Sequence, residues 1–257
     1  MFKDLNMVRD IAFIIAVLIE IIVPLIIAVI IARKYKTSWA IFFLGMLLFF
    51  VSMIRVPLNS YVSGIIQSKI PALYVVPGIL LFASITAGIF EEGVRVLAFG
   101  AIIKKKDYYN GLMYGIGHGG GGESMMFVGL STLANFIIYR FFPGILPEAA
   151  IMQLNNTQWY MPLVGALERI FAIIIQLALS VLVMNAFIKK RYYFITIAVI
   201  IHIVVDFTAT YINYRVGTLY SEISVMVFAL AGVATIIMLR PKYPPAHANN
   251  SNGAKFD

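Results

Sequence analysis

The sequence predicts an all-α protein, a polytopic bundle of about seven transmembrane helices. Three observations predict it. Of the 257 residues 61% are hydrophobic and 12% charged, against about 45–50% and about 25% in an ordinary soluble domain. The apolar residues gather into runs of twenty or more, the length that crosses a hydrocarbon core of about 30 Å. The basic residues stand in short clusters between those runs, which is how membrane topology is encoded. The net charge of +8 therefore reads as a topology signal, and no nucleic-acid partner is expected. Cysteine is absent, which excludes a disulfide framework, a thiolate nucleophile and a thiolate metal site.

Residues 1–10 read as a short polar head. The first span, 11–32, ends on Arg33, Lys34 and Lys36. Its length and its charged end mark a retained helix, not a cleaved signal peptide. Glu20 lies near its middle, and Pro24 can kink it. The second span, 39–58, carries Arg55 near its far end, where an arginine can snorkel to the interface. Residues 59–70 read as a polar connector. The third span, 72–103, exceeds the roughly 20 residues of a perpendicular crossing, so it is either strongly tilted or begins at the interface. Lys104, Lys105 and Lys106 end it.

The fourth span, 109–142, is interrupted by a run with six glycines in the eight positions 115–122, followed by Glu123. Residues 143–160 read as a polar loop. The fifth span, 162–188, holds Glu168, Arg169 and Gln176 and ends on Lys189, Lys190 and Arg191. The sixth, 192–214, holds His202 and Asp206, and the seventh covers 218–239. The tail, 240–257, is rich in Pro, Asn and Ala and is expected to be disordered. With no tandem repeat in view, residues 1–257 read as a single integral membrane domain.

Seven spans divide the loops between two sides, with twelve Lys/Arg on the side of the C-terminus and five on the side of the N-terminus. The bias places the N-terminus outside and the C-terminus in the cytoplasm. Depth can then be counted from the cytoplasmic end of each span at about 1.5 Å per residue. On this count His118 lies about 14 Å in, His202 about 15 Å, Glu91 and Glu92 about 17 Å, Gln176 about 18 Å, Glu20 about 19 Å and Asp206 about 20 Å. Polar groups from five spans thus share one depth and can meet in a water-filled cavity, while Glu168 and Arg169 fall near the outer end.

The chemistry concentrates in Phe90-Glu91-Glu92-Gly93-Val94-Arg95. An Asp, Lys or Arg at mid-bilayer costs about 2.5–3.5 kcal/mol by insertion scales, so three charged groups in six residues need a reason. A purely structural pairing with Arg95 is open, because offsets of three and four share a helix face. One arginine does not neutralise two carboxylates, however, and adjacent carboxylates in low dielectric resist simultaneous ionisation, the usual origin of a general base. His202 and Asp206, four apart, let the carboxylate orient the imidazole. The alternative is a satisfied core histidine. The glycine run beside His118 is either a close-packing surface or unwound backbone lining a cavity, with amide N–H groups for an oxyanion. Four consecutive glycines favour the second.

With Tyr114-Gly115-Ile116-Gly117-His118 and His202-Ile203-Val204-Val205-Asp206, the glutamate stretch resembles three motifs of the CAAX-protease and bacteriocin-processing (CPBP) intramembrane proteases. These are the paired glutamates, aromatic-x-x-x-His and His-x-x-x-Asn/Asp. The glycine-rich run and Glu168-Arg169-Ile170-Phe171-Ala172 are most similar to the YhfC-type branch, which is described as intramembrane metalloproteases. The resemblance spans about residues 71–215. Two residues separate Glu-Glu from Arg95 where three are usual, and Tyr114 stands where Phe is common.

The resemblance implies a bacterial membrane endopeptidase in which Glu91 or Glu92 activates water. Arg95 would hold the pair, His118, Glu123 and His202 would complete the site, and Asp206 would orient or bind within it. Its substrates would be membrane-embedded or lipid-anchored peptides, with membrane lipid around it. His118, His202 and Glu91 would make a three-ligand zinc site with an open position; the same groups could act without metal. The competing class is a non-enzymatic membrane protein, either an immunity scaffold or an ion-coupled transporter, though no inverted repeat favours transport.

Overall fold

The computed structural model describes residues 2–242, with side chains from Met7 onward. Among the described residues every regular element is helical, and seven helices are long and apolar enough to cross a membrane. The first, α1 (Phe2–Tyr35), is already helical at Phe2, so the expected polar head belongs to the helix.

The second span is two helices, α2 (Trp39–Ser52) and α3 (Arg55–Lys69). Residues 59–70, expected as a connector, are therefore helical up to Lys69. The break at Met53–Ile54 has a local cause. Pro57 has no N–H to offer the Met53 carbonyl, and the chain tightens there through short-range bonds from Met53 to Phe50 O (3.1 Å) and from Val56 to Met53 O (2.9 Å). Arg55 follows directly, and the offset turns it toward α4.

The third span is one long helix, α4 (Ala72–Leu97), continued by a π-helical turn, Ala98–Ile102. The fourth comprises α5 (Tyr108–Gly115), a π-helical stretch Ile116–Gly129, and α6 (Leu130–Phe141). Asp107 caps α5, its side chain accepting from Asn110 N at 2.9 Å. The glycine run is thus wide helix, not the unwound backbone that four consecutive glycines suggested.

Packing explains the glycines. A Cβ on Gly117 would lie 2.1 Å from the Phe42 carbonyl oxygen, on Gly119 2.4 Å from Gln176 Cβ, and on Gly122 2.6 Å from Phe49 Cβ. Bare backbone lets α2 and α8 (Met161–Lys189) press against this helix from two sides, as small residues do between membrane helices. π-Helical widening of this kind is frequent at functional sites.

The expected loop 143–160 contains a short helix, α7 (Glu148–Asn156). Arg9 ties it down, donating to the carbonyls of Leu154 (2.9 Å) and Asn155 (3.2 Å) and to the Tyr139 hydroxyl (2.7 Å). The last two spans are α9 (Tyr193–Arg215) and α10 (Thr218–Leu239). The remainder of the tail, 243–257, lies outside the described residues.

α8 is the axis of the bundle: 72% of its most apolar window is buried, against 33% or less for the other spans. Its Leu179, Val183 and Met184 form a core with Phe99, Tyr114 and Ala198. Leu47, Ile200 and Leu230 are more than half exposed. On a chain that crosses a bilayer, such side chains meet lipid.

Candidate active site

The polar residues of the sequence analysis that meet do so around Glu91, and helix packing brings them there. Gly88 on α4 lets α9 approach so closely that a Cβ would stand 2.6 Å from the Ile203 side chain. One turn on, Glu91 and Glu92 face His202. The glycine-lined π-helix brings His118 from the other side, and α8 supplies Gln176 and Ser180. Glu91, Glu92, Arg95, His118 and His202 are all at least 97% buried, so each must be paired.

The two adjacent glutamates have different partners. Glu92 accepts from Arg95, and His202 Nδ1 lies 2.7 Å from the same oxygen, Glu92 Oε1. Arg95 also donates to Gln176 Oε1 and, through Nε, to Ser180 Oγ at 3.1 Å. Glu91 Oε1 takes Arg55, at 2.9 and 3.0 Å. Glu91 Oε2 accepts from Gln176 Nε2 at 3.1 Å and from His118 Nε2 at 3.2 Å, with His202 Nε2 at 3.8 Å. Since a carboxylate accepts, the network assigns the proton of His118 to Nε2 and one proton of His202 to Nδ1. The ring of Tyr114 stacks on His118 at 5.8 Å, and Phe49 meets it edge-on at 5.5 Å.

Several expectations change. Arg95 does not hold both carboxylates; it holds Glu92, and Arg55 holds Glu91. Arg55 does not snorkel away: its side chain is 15% exposed. With one arginine for each, neither carboxylate is left uncompensated, contrary to expectation. The orienting partner of His202 is Glu92. Asp206 Oδ2 stands 3.6 Å from His202 Nε2, beyond hydrogen-bond length, and its side chain is 37% exposed. Glu20, although buried, lies outside this bonded group; its backbone carbonyl accepts from Ser124.

Glu123 does connect, because Gln176 Nε2 reaches its Oε2 at 2.9 Å, and Arg169 joins its Oε1 at 2.9 Å and also donates to Glu168. Arg169 is therefore part of a chain of polar contacts leading to Glu91. Sequence reasoning missed Arg55 and Ser180. Arg55 had a signal, because its own span holds no carboxylate while the next has one too many; Ser180 had none.

His202, Gln176, Glu123, Asp206, Glu168 and Arg169 line a partly open cavity of about 90 Å³. That is room for several waters.

Two imidazoles and a carboxylate are zinc's usual donors, and a tetrahedral ion about 2.0–2.1 Å from each donor would space them about 3.3 Å apart. Glu91 Oε2 is 3.2 Å from one imidazole and 3.8 Å from the other. The donor types fit, but the arrangement does not close: no three His or carboxylate groups among the described residues are disposed to hold an ion. The charge balance also argues against one. Arg55 and Arg95 already neutralise Glu91 and Glu92, and a divalent ion would add uncompensated charge in low dielectric.

A protein described as "Uncharacterized membrane protein YhfC" from Bacillus subtilis (strain 168) is 27% identical over 227 residues, covering 82% of this chain and 87% of that one. No solved structure matches the chain significantly. The glutamate pair, the glycine-lined histidine helix and His202 all fall within residues 19–229, which match the family model described as YhfC intramembrane metalloprotease, and the chain belongs to that family.

Proposed function

We propose that this membrane protein is an endopeptidase of the CPBP type that hydrolyses peptide bonds of membrane-associated substrates, with Glu91 as the base. The observation that carries the reading is the setting of Glu91 Oε2. It faces His118, Gln176 and His202 within 3.8 Å, and two of the three line the polar cavity.

In this reading a water in the cavity gives its proton to Glu91 and attacks the carbonyl carbon. The guanidinium N–H groups of Arg55 that Glu91 does not engage suit the developing oxyanion. Glu91 then returns the proton to the leaving nitrogen. Glu92 does not meet the substrate. It fixes the ring of His202 through Nδ1 and is itself pinned by Arg95, so that Nε2 is presented to the cavity. The glycine amides, engaged in helix, have no part in the oxyanion site. By the Lys/Arg bias, chemistry would occur in the cytoplasmic half of a bacterial membrane, with the N-terminus outside.

One observation favours a second reading. Each glutamate has its own guanidinium, which is what a purely structural, non-catalytic scaffold would need.

Glu91→Gln separates the two, because it keeps size and hydrogen bonding and removes the base. The expected result is a loss of about 10²–10⁴-fold in turnover of a transmembrane peptide library, with the protein still folded and still binding peptide. Full biological activity of Glu91→Gln in cells would favour the scaffold.

A further inference from the structure

Beside the polar cavity, α8, α9 and α10 enclose a second chamber of about 230 Å³ whose walls are almost wholly apolar. The two chambers share Ile175, Leu179 and Val205. Their order along the helices is consistent. On α8 the polar chamber uses 168–179 and the apolar one 175–182; on α9 they use 202–209 and 200–205; on α10, Val225 and then 228–235. All three progressions run toward the same end of the bundle, that of Lys189, Tyr193 and Leu239. The chambers are therefore stacked along the bundle axis, and His202 stands at their junction.

The apolar chamber opens to the lipid face, since Ile200, Ile201 and Val204 on its wall are 55, 39 and 45% exposed.

We infer that this chamber is the specificity subsite of the peptidase. It takes one large apolar side chain of a membrane-embedded substrate, adjacent to the bond held at Glu91, and the substrate enters from the bilayer between α9 and α10. The inference rests on the peptidase reading and adds its substrate class. An apolar cavity of about 150 Å³ accepts a benzene ring, so this chamber has room for Leu, Met or Phe. Leu179 and Val205 line both chambers, so a side chain held in one adjoins a bond held in the other. An apolar wall also fits an apolar occupant for the plain reason that a polar one would lose its hydrogen bonds there.

The test uses Ala231→Phe, which intrudes on the chamber from a lipid-exposed wall position and should leave the fold intact. Full-length protein in phosphatidylcholine–phosphatidylglycerol vesicles is given transmembrane peptides in which one position at a time is Gly, Ala, Leu or Phe. The wild type should cleave Leu and Phe peptides at least about 10-fold faster than Gly and Ala at one position beside the cut. Ala231→Phe should lose about 10–100-fold on Leu and Phe and keep its rate on Gly and Ala. An unchanged profile, or an equal loss on every peptide, overturns the subsite.

If the wild type cleaves nothing, the peptidase reading fails, and occupancy is read directly. A diazirine-leucine in the same peptides should crosslink to the chamber walls of Glu91→Gln protein and cease to do so when Ala231→Phe is added. Crosslinking there by a diazirine-acyl phospholipid, and not by peptide, shows a lipid crevice and overturns the inference.

Discussion

Removing Arg55 tests whether the two-helix second span really closes the site. Arg55→Gln cannot reach Glu91, and strands a carboxylate that is 3% exposed. Glu91 would keep His118 and Gln176 on Oε2 and lose both bonds on Oε1. Breaking one partner out of a buried ion pair costs about 3–5 kcal/mol. The 15% exposure of Arg55 lets water reach the stranded group, so about 2–3 kcal/mol is expected.

Glu91→Gln alone strands only a partly exposed guanidinium, beside an amide oxygen that still accepts from it, and should cost about 1 kcal/mol. The double variant leaves neither charge unpaired and should also cost about 1 kcal/mol, giving a coupling of about 2–3 kcal/mol. The assay is reversible unfolding by SDS in mixed micelles, followed by circular dichroism, on all four proteins of the cycle. Additive effects, with coupling below about 0.5 kcal/mol, would show that Arg55 does not pair with Glu91 and would remove the second cation from the site.

Gly117→Ala should destabilise the bundle by about 1–3 kcal/mol through overpacking, because its Cβ would meet the Phe42 carbonyl oxygen at 2.1 Å. Gly93→Ala, with nothing within 4 Å, should be neutral or stabilising by up to about 1 kcal/mol; equal effects in the same unfolding assay would refute the packing account of the glycines. Protein purified without added metal should contain no stoichiometric zinc and keep its peptide cleavage in chelator; zinc at one per chain, lost in His118→Ala, would contradict the charge argument. A cysteine introduced at Lys105 or Lys190 should be labelled only from the cytoplasmic side and one at Asn156 only from outside. The reverse pattern would invert the proposed orientation.

The spans were legible because hydropathy is a local property. A run such as 218–239 must be helical in lipid, whatever surrounds it, since no water is there to satisfy its backbone. The candidate residues were legible for the same reason: a charge in such a run is costly, and Glu91, Glu92, His118 and His202 stood out by residue type alone. Which partner each of them takes was not legible. Spacing offered Arg95 to both glutamates and Asp206 to His202. The bundle instead gives Glu91 to Arg55 and makes Glu92 the support of His202, across 36 and 110 positions of sequence.

The glycine run shows the same division. Its composition points to unwound backbone as much as or more than to tight packing, and only the approach of Phe42, Phe49 and Gln176 decides for packing. Burial forces every charge to find a partner, but which one it finds depends on how helices distant in sequence are set against one another. That is a property of the whole bundle, which no single span encodes.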